Sequence, residues 1–274
     1  MSSTESDKSI IRLKVDPANP GQFFACCGLL EIAERLWNGV EGWFEGNSFC
    51  CRRKGRVVSL SEVLNAVRNI CFENGDNETS SEDTDESDSA TDKSFKPIVV
   101  EKPIQLLLDW WTDKSLKTWA GSMNERLILL AMCNAIDIDN PDPFSQSQVV
   151  FDALQKNKKR EPFYFDARRG ANALAGDVGF APDALKMRSA AFPVVEAFCF
   201  FGLQRCRPMR TVTNRVFEYC TWQYSLPMTL VPLAVCGILP QLEYQKFRFE
   251  NAFRTDQKKH KAFTPATPLK GEGI

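Results

Sequence analysis

Residues 9–37, SIIRLKVDPANPGQFFACCGLLEIAERLW, decide how the fold is read. Ile10 and Ile11 followed by alternating Leu13 and Val15 describe a first strand. DPANPGQ then turns the chain, because Pro17 and Pro20 end any earlier helix. From Phe23 the apolar positions Phe23, Cys26, Cys27, Leu30, Ala33, Leu36 and Trp37 recur close to the helical period, so 23–37 is a helix. Gly39, Gly42 and Gly46 break the next stretch around two short strands, GWFEG and SFCCRR. A second helix follows from about Ser61 to Phe72, capped by Ser59 or Ser61. Strand–helix–strand–strand–helix is the opening of a ferredoxin-like, split β-α-β unit, and it fits other α+β arrangements too.

Working outward, residues 73–94 (ENGDNETSSEDTDESDSATDKS) change character. Nine acidic residues lie between Glu73 and Asp92 with no Lys or Arg, and no aliphatic residue larger than Ala90 interrupts them. Such a segment cannot bury enough surface to order itself, so it is expected to be a disordered acidic loop. PIVVEKP beyond it is strand-like. Helices are expected at Gln105–Trp111, Asn124–Ile136, Ser145–Gln155, Pro182–Met187, Pro193–Gln204 and Arg215–Trp222. The organisation is therefore an α+β part at 1–72, the acidic loop, and a mainly helical part at 95–255. That last part belongs to the same fold or forms a second domain, and a basic, flexible tail occupies 256–274.

The chain of 274 residues can bury a substantial core. Its formal charge of −1 conceals an asymmetry, since without the nine loop acids 34 basic residues face 26 acidic ones. From Ala153 onward there are 19 Lys and Arg against 10 Asp and Glu, a balance that attracts polyanions. Ten cysteines do not imply disulfides here. The N-terminus MSSTESDKS has no apolar core of a signal peptide, and Cys26, Cys133, Cys199 and Cys236 lie in apolar runs where a thiol acts as a small hydrophobe. A reduced, cytoplasmic protein is expected. The most apolar segment, Leu226 to Leu239, is too short for a membrane span and contains Pro227 and Pro232.

Chemistry-bearing residues concentrate between 162 and 215. Arg168, Arg169, Lys186, Arg188, Arg205, Arg207, Arg210 and Arg215 stand among Gly, Ala, Pro and Phe. Arginines on small-residue loops suit a phosphate backbone, because the guanidinium forks onto phosphate oxygens. For Arg168 and Arg169 the competing reading is a salt bridge to Asp166 or Asp177 that braces the loop. For Arg205, Arg207 and Arg210 it is favourable interaction with a helix C-terminus. Phe163, Tyr164 and Phe165 would stack bases if exposed, and otherwise are core. At the first helix N-terminus, Asn19 and Gln22 are the polar groups placed to touch a phosphate, unless the prolines there merely shape a corner.

Bond-making machinery is sparse. His260, within DQKKHKAF, is the only histidine, which excludes two-histidine acid–base schemes and His-based metal clusters. Carboxylate pairs are confined to the acidic loop, and no cofactor motif is present. Adjacent pairs Cys26-Cys27 and Cys50-Cys51 do not have zinc-site spacing.

Two blocks of the chain resemble a known family. VDPANPGQFFACCGLLEIAERLW with EGWF, and DARRGANALAGDVGFAPDALKM with FPVVEAFCFFGLQRCRP, look like the Csb/Csx-type accessory proteins of type I-G (formerly I-U) CRISPR–Cas loci. The likeness covers most of the chain apart from the acidic loop and the extreme termini. It implies a non-catalytic subunit of an RNA-guided surveillance complex in antiviral defence; relatives are described variously as large-subunit-like or as members of the ferredoxin-like RAMP superfamily, and the α+β opening suits the latter. Such a subunit would contact guide RNA or target DNA and other subunits, while guide pairing reads the sequence. It brings no catalytic residues with it, and the acidic loop is a departure that would repel nucleic acid if it lay beside the binding face. Two alternatives remain from the residues themselves. One is a metal-independent RNA-processing nuclease using His260 with Lys258, Lys259 and Lys261. The other is a bridging subunit with Trp110, Trp111 and Trp119 as its protein-binding patch.

Overall fold

The computed structural model describes residues 10–73, 96–121, 123–170, 190–254, 258 and 260–269. Strand β1 (Ile10–Lys14) leads into helix α1 (Pro20–Trp37), then β2 (Val40–Glu45) and β3 (Ser48–Arg53). Extended Asn19 caps α1 and Pro20 opens it, where a missing amide hydrogen is no loss. β3 lies between β1 and β2, antiparallel to both, so β1-α1-β2 is a split β-α-β unit. Helix α2 (Leu60–Arg68) follows, and the ferredoxin-like order then stops short. Strand β4 (Cys71–Phe72) does not join β1. It pairs with β5 (Ile98–Lys102) and, through it, with β6 (Leu106–Leu108) in a separate three-stranded sheet. The far edge of the first sheet is closed on β2 by β9 (Leu226–Pro227).

The second half is mixed rather than mainly helical. Helices α3 (Glu125–Asn134) and α5 (Pro193–Arg205) stand where expected, with the short α4 (Ala167–Gly170) between them and the short α6 (Val231–Val235) after them. Residues 105–111 instead contain β6, with Leu107 exposed between buried Leu106 and Leu108, and then a 3-10 turn, Trp110–Asp113. Residues 145–155 hold only isolated bridges, at Gln148 and Phe151. Arg215–Trp222 is mostly strand β8 (Val216–Trp222), whose aromatic and β-branched content favours a sheet and whose interior residues pack on both faces. β8 sits in a five-stranded sheet with β7 (Met209–Arg210), β10 (Glu243–Phe253), β11 (Lys261–Phe263) and β12 (Thr267–Leu269). The described part of the expected flexible tail is therefore tied down, because β11 and β12 both pair with β10. Residues 74–94 and the expected helix at 182–187 lie outside the described residues.

One apolar core runs from Ile11 to Ala266. Its centre is the crossing of α1 and α5, both buried along most of their length, as a helix apolar on all sides must be. Gly28 and Gly202 let the two backbones meet, since a Cβ on Gly28 would come within 1.9 Å of the Phe198 carbonyl oxygen. Two aromatic groups flank this crossing. Phe23, Phe44, Tyr219 and Trp222 join α1 to both larger sheets, and the Trp222 indole donates to the Gly42 carbonyl at 2.8 Å. Trp110, Trp119 and Phe163 gather around Phe200 of α5, and Phe165 packs against Trp110 and Phe163. Phe263 of β11 touches Phe165 in one group and Phe249 beside the other. Trp110, Trp111 and Trp119 are thus core residues, at most 3% exposed, and do not form a surface patch.

None of the ten cysteines is disulfide-bonded. Burial pushes the Cys50 thiol up to about 11 and raises Cys26, Cys27 and Cys199 as well. Among the described residues no helix is long and apolar enough to cross a membrane, and no group of His, Cys, Asp and Glu could hold a metal ion.

Candidate nucleic-acid interface

The corner at Asn19 is an internal knot. Asn19 is 3% exposed; its Oδ1 accepts from the amides of Gly21 (3.1 Å) and Ala167 (3.0 Å), and its Nδ2 donates to Asp166 Oδ1 at 2.8 Å. Gln22, 6% exposed, accepts from the Asp16 amide at 2.8 Å. Both residues are buried, and their side chains are engaged in internal hydrogen bonds that hold the chain together. Arg168 turns back on the same knot: its Nε and Nη2 donate to the two Asp166 oxygens at 2.9 and 2.6 Å. It also reaches the Phe144 carbonyl at 2.6 Å and lies 3.4 Å from the Phe192 ring centroid. The bracing salt bridge is the arrangement that forms. Arg169 is half-buried, and its charge helps to lower the pKa values of Glu196 and Tyr164, both of which burial raises. Phe163, Tyr164 and Phe165 are interior.

Arg205 pairs with buried Glu31 at 3.2 Å, and Arg35 binds the same carboxylate at 2.7 Å. Arg207 is half-buried, and its carbonyl accepts from the Cys236 thiol at 3.4 Å. Lys186 and Arg188 lie outside the described residues.

Arg210 and Arg215 come together in a cleft of about 530 Å³. Three distant segments build it. The turn after Trp110–Asp113 contributes Asp113, Lys114 and Ser115; the β7–β8 hairpin contributes Arg210 and Arg215; β10 and β11 contribute Phe253 and Lys261. Asn251 of β10 fixes the turn by donating to the Ser115 carbonyl at 2.9 Å, and its own amide donates to the Arg215 carbonyl at 2.9 Å. The Lys261 amide donates to the Thr118 carbonyl at 2.7 Å. Lys114 and Arg215 both adopt left-handed backbone, at φ 59° and 62°, a conformation that costs a residue with a Cβ about 1 kcal/mol or more.

Four cations thus line one concavity in which Asp113 is the single lining carboxylate. Asp113 holds Arg210 at 2.9 Å, and Glu250 reaches Arg215 only at 3.5 Å. Two amines at and beside the cleft are shifted, chiefly by burial. Burial, followed by the charges of Arg215 and Lys117, lowers the Lys261 pKa from its ordinary value. Lys117 is lowered as well, by burial and then by Lys114, against the opposing pull of Glu125. A bound phosphate would relieve this crowding, and the forked guanidinium of Arg210 and Arg215 can bind its oxygens.

No family model, curated protein or solved structure matches this chain. The cleft itself must then carry the functional reading. Sequence reading reached Arg210 and Arg215 and missed Lys114 and Phe253. Lys261 entered it only as part of a tail. Lys114 and Lys261 lie 147 positions apart, and no local pattern announces that they meet.

Proposed function

We propose that this protein is a non-catalytic, nucleic-acid-binding subunit of an RNA-guided CRISPR surveillance complex, and that it holds guide RNA or target DNA by the phosphate backbone in this cleft. The observation that carries the reading is four lining cations against one lining carboxylate. The basic balance of the second half and the likeness of two sequence blocks to type I-G accessory proteins support it. Phosphate contacts of this kind position a strand without reading its sequence, which suits a system where base pairing does the reading.

The test is binding of labelled guide RNA and target DNA across a salt series. Lys114→Glu with Lys261→Glu should lower affinity for every sequence alike and flatten the salt slope by about one for each phosphate no longer neutralised. Arg168→Ala, which breaks the internal brace, should destabilise the fold and leave the salt slope of the folded protein unchanged. An unaltered salt slope in the charge-reversed protein would remove the cleft from the reading. Recovery of guide RNAs with other complex subunits, when tagged protein is isolated from cells expressing its neighbouring genes, is the expected result for the assembly part.

A further inference from the structure

We propose that the cleft takes in an unpaired nucleotide, so that its ligand is single-stranded nucleic acid rather than a continuous duplex. The proposal rests on the nucleic-acid reading above and goes beyond it by naming the form of the strand.

Three observations point this way. The first is shape: the cleft is a half-open concavity of about 530 Å³, with room for a group the size of a base beside its charged walls. A base engaged in a continuous helix cannot enter such a space, because it is stacked and paired. The second is a stacking platform. The Arg215 guanidinium lies 4.5 Å from the Phe253 ring centroid, and both groups line the cleft. A planar guanidinium backed by an aromatic ring offers an unstacked base a surface that accepts any base, because every base has a π face. The third is the arrangement of charge around this platform. Lys114, Arg210 and Lys261 line the same cleft, so phosphates flanking a stacked base find cations beside it.

Fluorescence anisotropy with short labelled oligouridylate and oligothymidylate, and with a blunt duplex of the same length, tests this at a single moderate salt concentration. The single strands should bind at least about tenfold more tightly than the duplex, and the better of the two sugars identifies RNA or DNA as the source. Arg215→Lys keeps the charge and loses the plane. It should weaken single-strand binding by about 5- to 150-fold, the range of one lost base stack, and a salt series on this variant should give the slope of the parent protein. Phe253→Leu should act in the same direction and retains an apolar side chain for the sheet.

Equal affinity for duplex and single strand, or Arg215→Lys indistinguishable from the parent protein, overturns the inference and leaves the phosphate-binding reading standing. Absence of binding to either form overturns both.

Discussion

Glu196 is fully buried in α5. It accepts from the amides of Phe165 (3.3 Å) and Asp166 (3.1 Å), close to the Asp166 carboxylate and the Arg169 charge. Burial, reinforced by Asp166 and opposed by those amides and Arg169, raises its pKa to about 8. The folded protein therefore retains a proton that the unfolded chain releases above an ordinary pKa of 4.5. Across that window the native state binds more protons, so stability falls as pH rises, by about 1.4 kcal/mol per unit, and the loss ends above about 8. Glu196→Gln should remove this slope. Urea midpoints for both proteins between about pH 5 and 9 read it as a difference, and parallel curves would refute the assignment. The Asp166–Arg168 half of this knot was legible in the sequence, because two oppositely charged residues two positions apart suggest a brace. Glu196 sat unannounced in an apolar helix thirty residues later, and only the tertiary fold brings it under the Asp166 amide.

At the scale of elements, the crossing of α1 on α5 sets the tolerance of the molecule. Replacing glycine by alanine inside a helix ordinarily stabilises by up to about 1 kcal/mol. At Gly202 the added methyl would stand 2.0 Å from the Phe24 carbonyl oxygen and 2.7 Å from the Gly28 amide nitrogen, so the helices would have to separate. Overpacking of this kind costs about 3 kcal/mol or more and reverses the sign. Gly202→Ala should lower the denaturation midpoint, while a midpoint equal to or above that of the parent protein would show that the helices yield freely. Both helices were readable in advance from long apolar runs bounded by Pro20 and Pro193. Strand β8 was not, since residues buried on both of its faces erase the alternation that marks a strand. The first strand, the first helix and the β2–β3 hairpin were legible in the sequence, while the ferredoxin-like continuation does not form. What diverted β4 was its pairing with β5, a partner that lies beyond the acidic stretch in sequence.

For the whole molecule, charge and connectivity meet in the cleft. Its cations are held close by a fold completed only when β11 docks on β10 and Phe263 enters between the two aromatic groups. Unbound, the cleft carries the repulsion that helps to lower Lys261 and Lys117. A short single-stranded oligonucleotide at about 100 times its Kd should therefore add about 2.7 kcal/mol of stability and raise Tm by about 5–10 °C. High salt should cancel that gain, and a Tm that ignores the oligonucleotide would argue against any link between site and fold. Because the cleft's walls come from the turn at Asp113, the hairpin at Arg210 and the last strands of the chain, a molecule whose C-terminal strands have not docked has no site. Whatever occupies the cleft would thus be held only by molecules in which β10 and β11 have closed on each other.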